Sequence, residues 1–264
     1  MGEKIETHQM AGLPLAKLGQ TQATELIIDW ASQADSRGMA VHFVTAHTIY
    51  LAERDSKLRQ LLKSGDLLLA DSRWLQIFSG LGRTKLAQVR GPDFFRDVLR
   101  LGCNVETPHF FVGPSDQVNR ALETGLKALF PSLRTVGFTV GPYPPFSSSS
   151  LGELVAEIPI SVRPIVWVGV GTPAQNYLIH ALARETGLVV VGVGAAFDFL
   201  SGVKREAPPW VSRIGFEWLF RLFTEPRRLW KRYLVGNVVF VYALMKYKLT
   251  GSFMGAGKGE SGVR

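Results

Sequence analysis

Asp71 is a carboxylate at a sequence position that suits a general base. Asp71 follows directly on an apolar run at residues 67–70. Partial burial at the end of such a run raises the pKa of a carboxyl group and suits it to accept a proton near neutral pH. A lone carboxylate in this position also commonly caps a helix or lies in a loop. Asp71 is therefore the candidate catalytic residue, with a structural role as the alternative.

Two glycine-rich turns are candidate ligand-binding segments. In the first, Gly169 and Gly171 lie between an apolar run and Gln175, and in the second Gly192 precedes Asp198. Glycine lets the backbone approach a ligand closely, and free N–H groups at a helix start favour phosphate. The first turn matches neither the Walker loop nor the complete dinucleotide fingerprint, so a tight turn without a ligand is the alternative. Asp198 either caps a helix or contacts a sugar or nucleobase.

The sequence lacks the usual metal-binding patterns. It contains no Asp-x-Asp pair and no His-x-x-x-His spacing, and Cys103 is its single cysteine. We therefore predict no metal and no cofactor, so that arginine, lysine and helix dipoles neutralise any anionic substrate. His47 is a candidate for phosphate binding or acid–base chemistry, although a lone histidine is usually structural.

Short apolar runs alternate with helical segments along the chain. The predicted strands lie at residues 41–45, 66–71, 109–113, 135–140, 164–169 and 188–193. The predicted helices between them lie at residues 23–32, 47–63, 94–101, 117–130 and 175–185. This alternation predicts an α/β, Rossmann-like fold with a mainly parallel sheet and helices on both faces.

The candidate residues share one position in this predicted sheet. They stand where predicted strands end, namely at Thr45, Asp71, Gly113, Gly169 and Gly192. Ligands of such sheets bind at the carboxyl ends of the strands, so the site is expected there. The first twenty residues are expected to form an irregular lead-in, and residues 141–150 a Pro- and Ser-rich loop.

Positive charge is concentrated in the last part of the chain. Residues 203–248 carry ten Lys or Arg and three Glu, a net charge of +7 out of +8 for the whole protein. Together with Trp, Tyr and Phe, these cations favour an interfacial helix on an anionic membrane. A core-packing helix with a solvated basic face and a segment that binds single-stranded nucleic acid are the alternatives. We predict a core at residues 1–202 and a basic appendage at 203–264.

The chain is expected to be soluble or peripheral. Its start carries no apolar run of the signal-peptide type, and the apolar run at residues 238–245 is too short to span a membrane. With a single cysteine, the composition fits the reducing cytoplasm. The predicted location is the inner face of the cytoplasmic membrane.

An ordered set of motifs in residues 41–241 resembles the WecG/TagA/CpsF family of glycosyltransferases. The most specific matches are residues 192–198, 207–210, 215–221, 225–228 and 232–233. Weaker matches in the expected order are residues 70–71, 89–93 and 169–175.

The resemblance implies an inverting, metal-independent glycosyltransferase that acts in cell-surface or exopolysaccharide synthesis. It implies a UDP-sugar donor, a polyprenyl-diphosphate-linked sugar as acceptor, and an appendage that docks on the membrane and completes the donor site. By this resemblance Asp71 is the general base and Thr45 and Gln175 contact the sugar or acceptor. The cations that would clamp the uridine diphosphate are Arg221, Arg228 and Arg213.

Departures from the family pattern leave the donor sugar open. This chain has His47, Ser72 and Asn176 where the family usually has Asn, Gly and Glu. Hexose, N-acetylhexosamine and hexuronic acid all remain candidates, and oligomerisation is possible. A non-catalytic nucleotide-sugar-binding or scaffold protein is the alternative function. Nucleic acid is not expected as a partner.

Overall fold

Apolar runs in the sequence build a parallel sheet at the centre of the molecule. The computed structural model describes residues 5–33, 37–80, 85–142 and 144–250. The strands in these ranges are β1 (Thr7–Met10), β2 (Leu13–Ala16), β3 (Met39–Val44), β4 (Leu67–Ala70), β5 (His109–Gly113), β6 (Thr135–Val140), β7 (Ile165–Val168) and β8 (Val189–Gly192). Strands β3 to β8 pair in parallel in the order β4-β3-β8-β7-β5-β6.

Helices follow most of the strands. In the described ranges they are α1 (Gln20–Ser32), α2 (Ala46–Arg54), α3 (Ser56–Ser64), α4 (Arg73–Gly80), α5 (Gly91–Asn104), α6 (Asp116–Leu129), α7 (Ser148–Glu157), α8 (Ala174–Thr186), α9 (Ala196–Leu200), α10 (Pro209–Arg213), α11 (Glu217–Thr224) and α12 (Pro226–Thr250). A short 3-10 turn at Ile160–Val162 precedes β7.

Both faces of the sheet are covered, because successive side chains of a strand point to opposite sides. Val189 and Val191 of β8 pack into the cluster that α1, α5 and α6 cover. Val190, between them, packs into the cluster that α8 covers on the opposite face. The predicted α/β, Rossmann-like fold is confirmed.

Residues 7–16 form a hairpin within the segment that was predicted to be an irregular lead-in. β1 and β2 pair antiparallel, with Leu13 and Leu15 fully buried in the cluster that also holds Ile49. The alternation of these leucines with Pro14 is a strand pattern too short to stand out beside the polar start of the chain. Ala11 and Gly12 turn the chain between the strands with positive φ values of 49° and 74°.

Two further predictions were wrong in detail. The single helix expected at residues 47–63 is divided into α2 and α3 by Asp55, whose side chain accepts hydrogen bonds from the N–H groups of Lys57 and Leu58. The loop expected at residues 141–150 ends in helix α7, which Ser147 caps by accepting from the N–H of Ser150 at 3.1 Å. In both places a short polar side chain caps a helix that apolar periodicity alone does not reveal.

The C-terminal helices pack against the rest of the chain. Phe240 and Ala243 of α12 are buried in the cluster of Ile49 and Leu75, and the Phe240 ring meets the Phe78 ring edge-on at 5.6 Å. The opposite side of α12 exposes apolar residues, with Val238 71% exposed. Within the described ranges, no helix combines the length and the apolar character needed to cross a membrane.

Candidate active site

A cavity of about 540 Å³, here called the large cavity, opens at the carboxyl ends of β3, β4, β7 and β8. Thr45 follows β3, Asp71 follows β4, Gly169 follows β7 and Gly192 ends β8, and all four line it. Helices of the predicted appendage close the other side through Arg221, Leu229 and Tyr233, among others. The cavity therefore lies where parallel sheets bind their ligands.

Backbone forms much of the wall on the sheet side. A Cβ atom at Gly169 would lie 2.3 Å from Phe197 Cδ2, and one at Gly192 would lie 2.2 Å from Ile179 Cδ1. These glycines are therefore required for close packing. Gly171 also lines the cavity, with a φ of 89° that glycine adopts without strain.

Asp71 lies in the wall of this cavity with its carboxylate anchored at one oxygen. Its Oδ1 accepts a hydrogen bond of 2.8 Å from the N–H of Gly91, the first residue of α5. Burial and the nearby negative charge of Glu217 raise the pKa of Asp71 to about 6, although Gly91, Arg221 and Arg90 oppose the rise. A carboxylate with this pKa is largely ionised at neutral pH and is a stronger base than an ordinary aspartate.

A network of ion pairs joins the core to α11 beside Asp71. Arg90 Nε donates to Glu217 Oε2 at 2.8 Å, and Arg221 donates to the other oxygen of Glu217. Arg90 also pairs with Glu206 at 2.6 Å. Burial alone would raise the pKa of Glu217, but Arg221 and Arg90 together hold it below its ordinary value. Glu217 is thus an anion between two arginines, and it holds Arg221 in place at the cavity.

Two further cations line the large cavity, Lys204 and Arg205. Lys204 Nζ donates to Asp198 Oδ2 at 2.5 Å, which holds the ammonium group at the cavity. Asp198 is not a helix cap, because Ala195 occupies the N-cap position of α9. The cavity wall therefore combines basic side chains with backbone, a composition suited to a phosphorylated ligand.

A second cavity of about 100 Å³, here called the small cavity, adjoins the large one. Both are lined by Thr45, Asp71, Arg221 and Tyr233, so Asp71 faces both. His47 lines the small cavity and stacks on Tyr50 with ring centres 5.8 Å apart. Thr45 caps α2 by accepting from the N–H of Thr48 at 3.2 Å.

The structure brings most of the predicted site residues together. The large cavity is lined by Thr45, Asp71, Gly169, Gly171, Gln175, Gly192, Asp198 and Arg221. Gly113 lines neither cavity, because it packs against Asn119, whose Oδ1 would lie 1.8 Å from a Cβ atom at this position. The side chains of Arg213 and Arg228 lie outside the described part of the structure.

Sequence reasoning missed the roles of Glu217, Lys204 and Arg205 at this site. Glu217 and Arg221 stand four residues apart on α11, a helical spacing that predicts an ion pair. No comparable signal marks Lys204 or Arg205, because a loop between α9 and α10 carries them to the cavity.

Within the described residues, no group of three or more His, Cys, Asp or Glu side chains is arranged to hold a metal ion.

The fold is α/β, and the cavity at the ends of its strands combines a carboxylate of raised pKa with basic side chains. The chain belongs to the glycosyl transferase WecG/TagA/CpsF family, whose profile matches residues 8–253. It is 28% identical over 199 residues to an N-acetylglucosaminyldiphosphoundecaprenol N-acetyl-beta-D-mannosaminyltransferase from Bacillus spizizenii, covering 75% of each chain. It is 26% identical over 216 residues to the Bacillus subtilis protein of the same name, covering 81% of this chain and 78% of that one.

Proposed function

We propose that this glycosyltransferase moves a sugar from a UDP-sugar to a polyprenyl-diphosphate-linked sugar in cell-surface polysaccharide synthesis, with Asp71 as general base. One observation carries the proposal. Asp71, with a pKa raised to about 6, faces two adjoining cavities and has Arg221 beside it. A carboxylate in this position can take a proton from a substrate in one cavity while the other substrate lies beside it in the second cavity.

In the proposed reaction the acceptor hydroxyl gives its proton to Asp71. The oxygen attacks the anomeric carbon of the donor sugar as the bond from that carbon to the diphosphate oxygen breaks, and UDP leaves with the electron pair. Arg221, Lys204 and Arg205 line the cavity that would hold the leaving diphosphate. Their charges stabilise the negative charge that develops on it. A single displacement of this kind inverts the configuration at the anomeric carbon.

We further propose that the reaction needs no divalent metal ion. The large cavity has three cationic side chains in its wall, and the sequence has no Asp-x-Asp pair. Arginine and lysine can neutralise a diphosphate in place of a metal ion.

Two relatives support the substrate class. Their names state an acceptor, N-acetylglucosaminyldiphosphoundecaprenol, and a transferred group, N-acetyl-β-D-mannosaminyl. By this likeness we propose a lipid-linked acceptor for the present chain and a UDP-N-acetylhexosamine as the first donor to examine, with UDP-hexoses and UDP-hexuronic acids after it.

Such an acceptor resides in a membrane, and we propose that the appendage docks on the inner face of the cytoplasmic membrane. Exposed apolar residues of α12 include Val238, Tyr242 and Leu249. Basic residues on the same helix include Arg227 and Lys231. Apolar burial combined with attraction to anionic headgroups is the basis of peripheral membrane binding.

The test is a screen for UDP release with a panel of UDP-sugars and short-chain polyprenyl-diphosphate-linked GlcNAc or Glc acceptors, run with and without EDTA. We expect acceptor-dependent release that EDTA does not reduce, and a product with inverted anomeric configuration by NMR. Loss of turnover in EDTA with recovery on adding Mg²⁺ would reject metal independence. UDP binding without turnover for any pair would favour a non-catalytic binding protein.

A further inference from the structure

Unpartnered buried polar atoms converge on the small cavity. Ser212 Oγ, Trp218 Nε1 and Arg221 Nε are buried and have no hydrogen-bond partner within the described residues. All three side chains belong to residues that line this cavity. A buried donor without a partner is unfavourable, so three of them at one place indicate a ligand with several hydrogen-bonding groups.

The remaining lining has the chemistry of a carbohydrate site. The indole rings of Trp74 and Trp218 offer apolar faces, and the amide groups of Gln88 and Asn237 offer further polar contacts. A sugar ring has the matching pattern, with C–H groups on its faces and hydroxyl groups at its edge. Aromatic faces combined with a few placed polar groups are the usual means of fixing such a ligand.

The position of the small cavity fits the second substrate of a transfer reaction. It meets the large cavity at Asp71 and Arg221. A hydroxyl group of a sugar in the small cavity can therefore give its proton to Asp71 while it faces a donor in the large cavity. Arg73 also lines the small cavity and supplies a cation for a diphosphate attached to that sugar.

We propose that the small cavity binds the terminal sugar of the lipid-linked acceptor, with Ser212 and Trp218 as specificity-determining hydrogen-bond donors. This inference rests on the proposed function and adds to it the residues that select the acceptor. Ser212 of α10 and Trp218 of α11 both come from the appendage, so the two proposed specificity-determining donors lie outside the Rossmann-like core.

The test measures binding, so that it does not depend on turnover. A short-chain GlcNAc-diphosphate-polyprenol is titrated by calorimetry into the UDP-saturated protein, for the wild type and for Ser212→Ala and Trp218→Phe. Ser212→Ala removes one donor with almost no change in volume, and Trp218→Phe removes the indole N–H while it keeps an aromatic ring. For each we expect the acceptor Kd to rise about 3- to 10-fold. The Kd for UDP alone should stay within about twofold.

Trp210→Phe is the matched control, because Trp210 is 65% exposed and lines neither cavity. Acceptor affinities equal to that of the wild type in both Ser212→Ala and Trp218→Phe would overturn the inference, and the UDP-release screen would then decide the proposed function separately. Weaker UDP binding with unchanged acceptor binding would also overturn it, because the small cavity would then serve the donor. A wild-type protein that binds UDP but not the acceptor probe contradicts the inference as well.

Discussion

At the scale of single residues, the proposed chemistry depends on how strongly Asp71 holds a proton. Burial and the negative charge of Glu217 raise its pKa to about 6, and the N–H of Gly91 limits the rise. Glu217 has a second effect, because it also binds Arg221 at the cavity. One partly buried glutamate therefore affects both the proposed base and the cation proposed to face the leaving group.

Replacing Glu217 tests this arrangement through the pH dependence of the reaction. For the wild type we expect kcat/KM to rise with pH around pH 6, because only the ionised form of Asp71 accepts a proton. Glu217→Gln removes a negative charge that favours the protonated form, so the rise should move to lower pH. The measurement is kcat/KM for the acceptor from pH 4.5 to 8.

Glu206→Gln is the matched control for that experiment. Glu206 binds the same Arg90 but is not among the groups that chiefly shift the pKa of Asp71. In this variant, the rise of kcat/KM with pH should have the same midpoint as in the wild type. A Glu217→Gln profile with an unchanged or higher midpoint would contradict the account of the site.

The raised pKa of Asp71 also has a consequence for folding. A carboxyl group with a higher pKa in the folded state contributes stability that is present below its unfolded pKa of about 4 and is lost as pH rises through about 6. The variant Asp71→Asn has no ionisable group at this position, so it does not lose this stability as the pH rises. Its amide oxygen can still accept a hydrogen bond from the N–H of Gly91. We expect the variant to unfold with a free energy about 1–3 kcal/mol higher than the wild type at pH 8, and a difference near zero at pH 4.

Urea denaturation at both pH values measures this difference. A variant less stable than the wild type at pH 8 would show that ionised Asp71 is well accommodated in the folded protein, against the electrostatics described above.

At the scale of secondary structure elements, the strands of the parallel sheet were predictable, whereas the helix caps and the hairpin β1–β2 were not. Strands β4, β7 and β8 of the parallel sheet are continuous apolar runs, which is why their places could be read from the sequence. The division of α2 from α3 depends on one side chain, Asp55, in a segment with helical periodicity on both sides. The hairpin β1–β2 depends on burial against β4 and α3, a tertiary contact that a local pattern does not contain.

The packing of α12 gives a prediction at this scale. Phe240 is 2% exposed and contacts Phe78, so Phe240→Ala leaves a cavity between α12 and the core. We expect the free energy of unfolding to fall by about 3 kcal/mol. Val238→Ala, on the same helix but 71% exposed, should change it by less than about 0.5 kcal/mol. Equal effects of the two substitutions in urea denaturation would contradict the described packing.

At the scale of the whole molecule, the sequence alone predicts only part of the candidate site. It predicts Asp71, Thr45 and the glycines at one edge of the sheet, because each follows or ends a predicted strand. Gly113 also follows a strand, but its lack of a side chain makes room for Asn119 instead of for a ligand. The hydrogen bond from Arg90 to Glu217 joins α11 to the start of α5. These two residues lie 127 positions apart, so no local sequence pattern predicts their contact.

The proposed membrane docking belongs to the scale of the whole molecule and has its own test. Val238→Glu with Met245→Glu places two charges on the exposed side of α12, where these residues are 71% and 56% exposed. We expect binding to anionic vesicles to fall at least about tenfold, because apolar burial is replaced by charge. Turnover with a water-soluble acceptor should stay within about twofold.

Val105→Glu is the control, since Val105 is 54% exposed and follows α5, outside the appendage. Vesicle binding that is unchanged in the α12 variant, measured by cosedimentation, would reject docking through this helix.

The central claim is that Asp71 is the base that activates the acceptor between the two cavities. The most direct measurement is the rate of sugar transfer from bound donor to acceptor in a single turnover at pH 7.5. This rate is compared between Asp71→Asn and the wild type, and donor binding is measured on the same samples. We predict donor affinity within about threefold of the wild type and a transfer rate at least about 100-fold lower. A variant that binds donor normally and transfers the sugar at a rate near that of the wild type would contradict the claim.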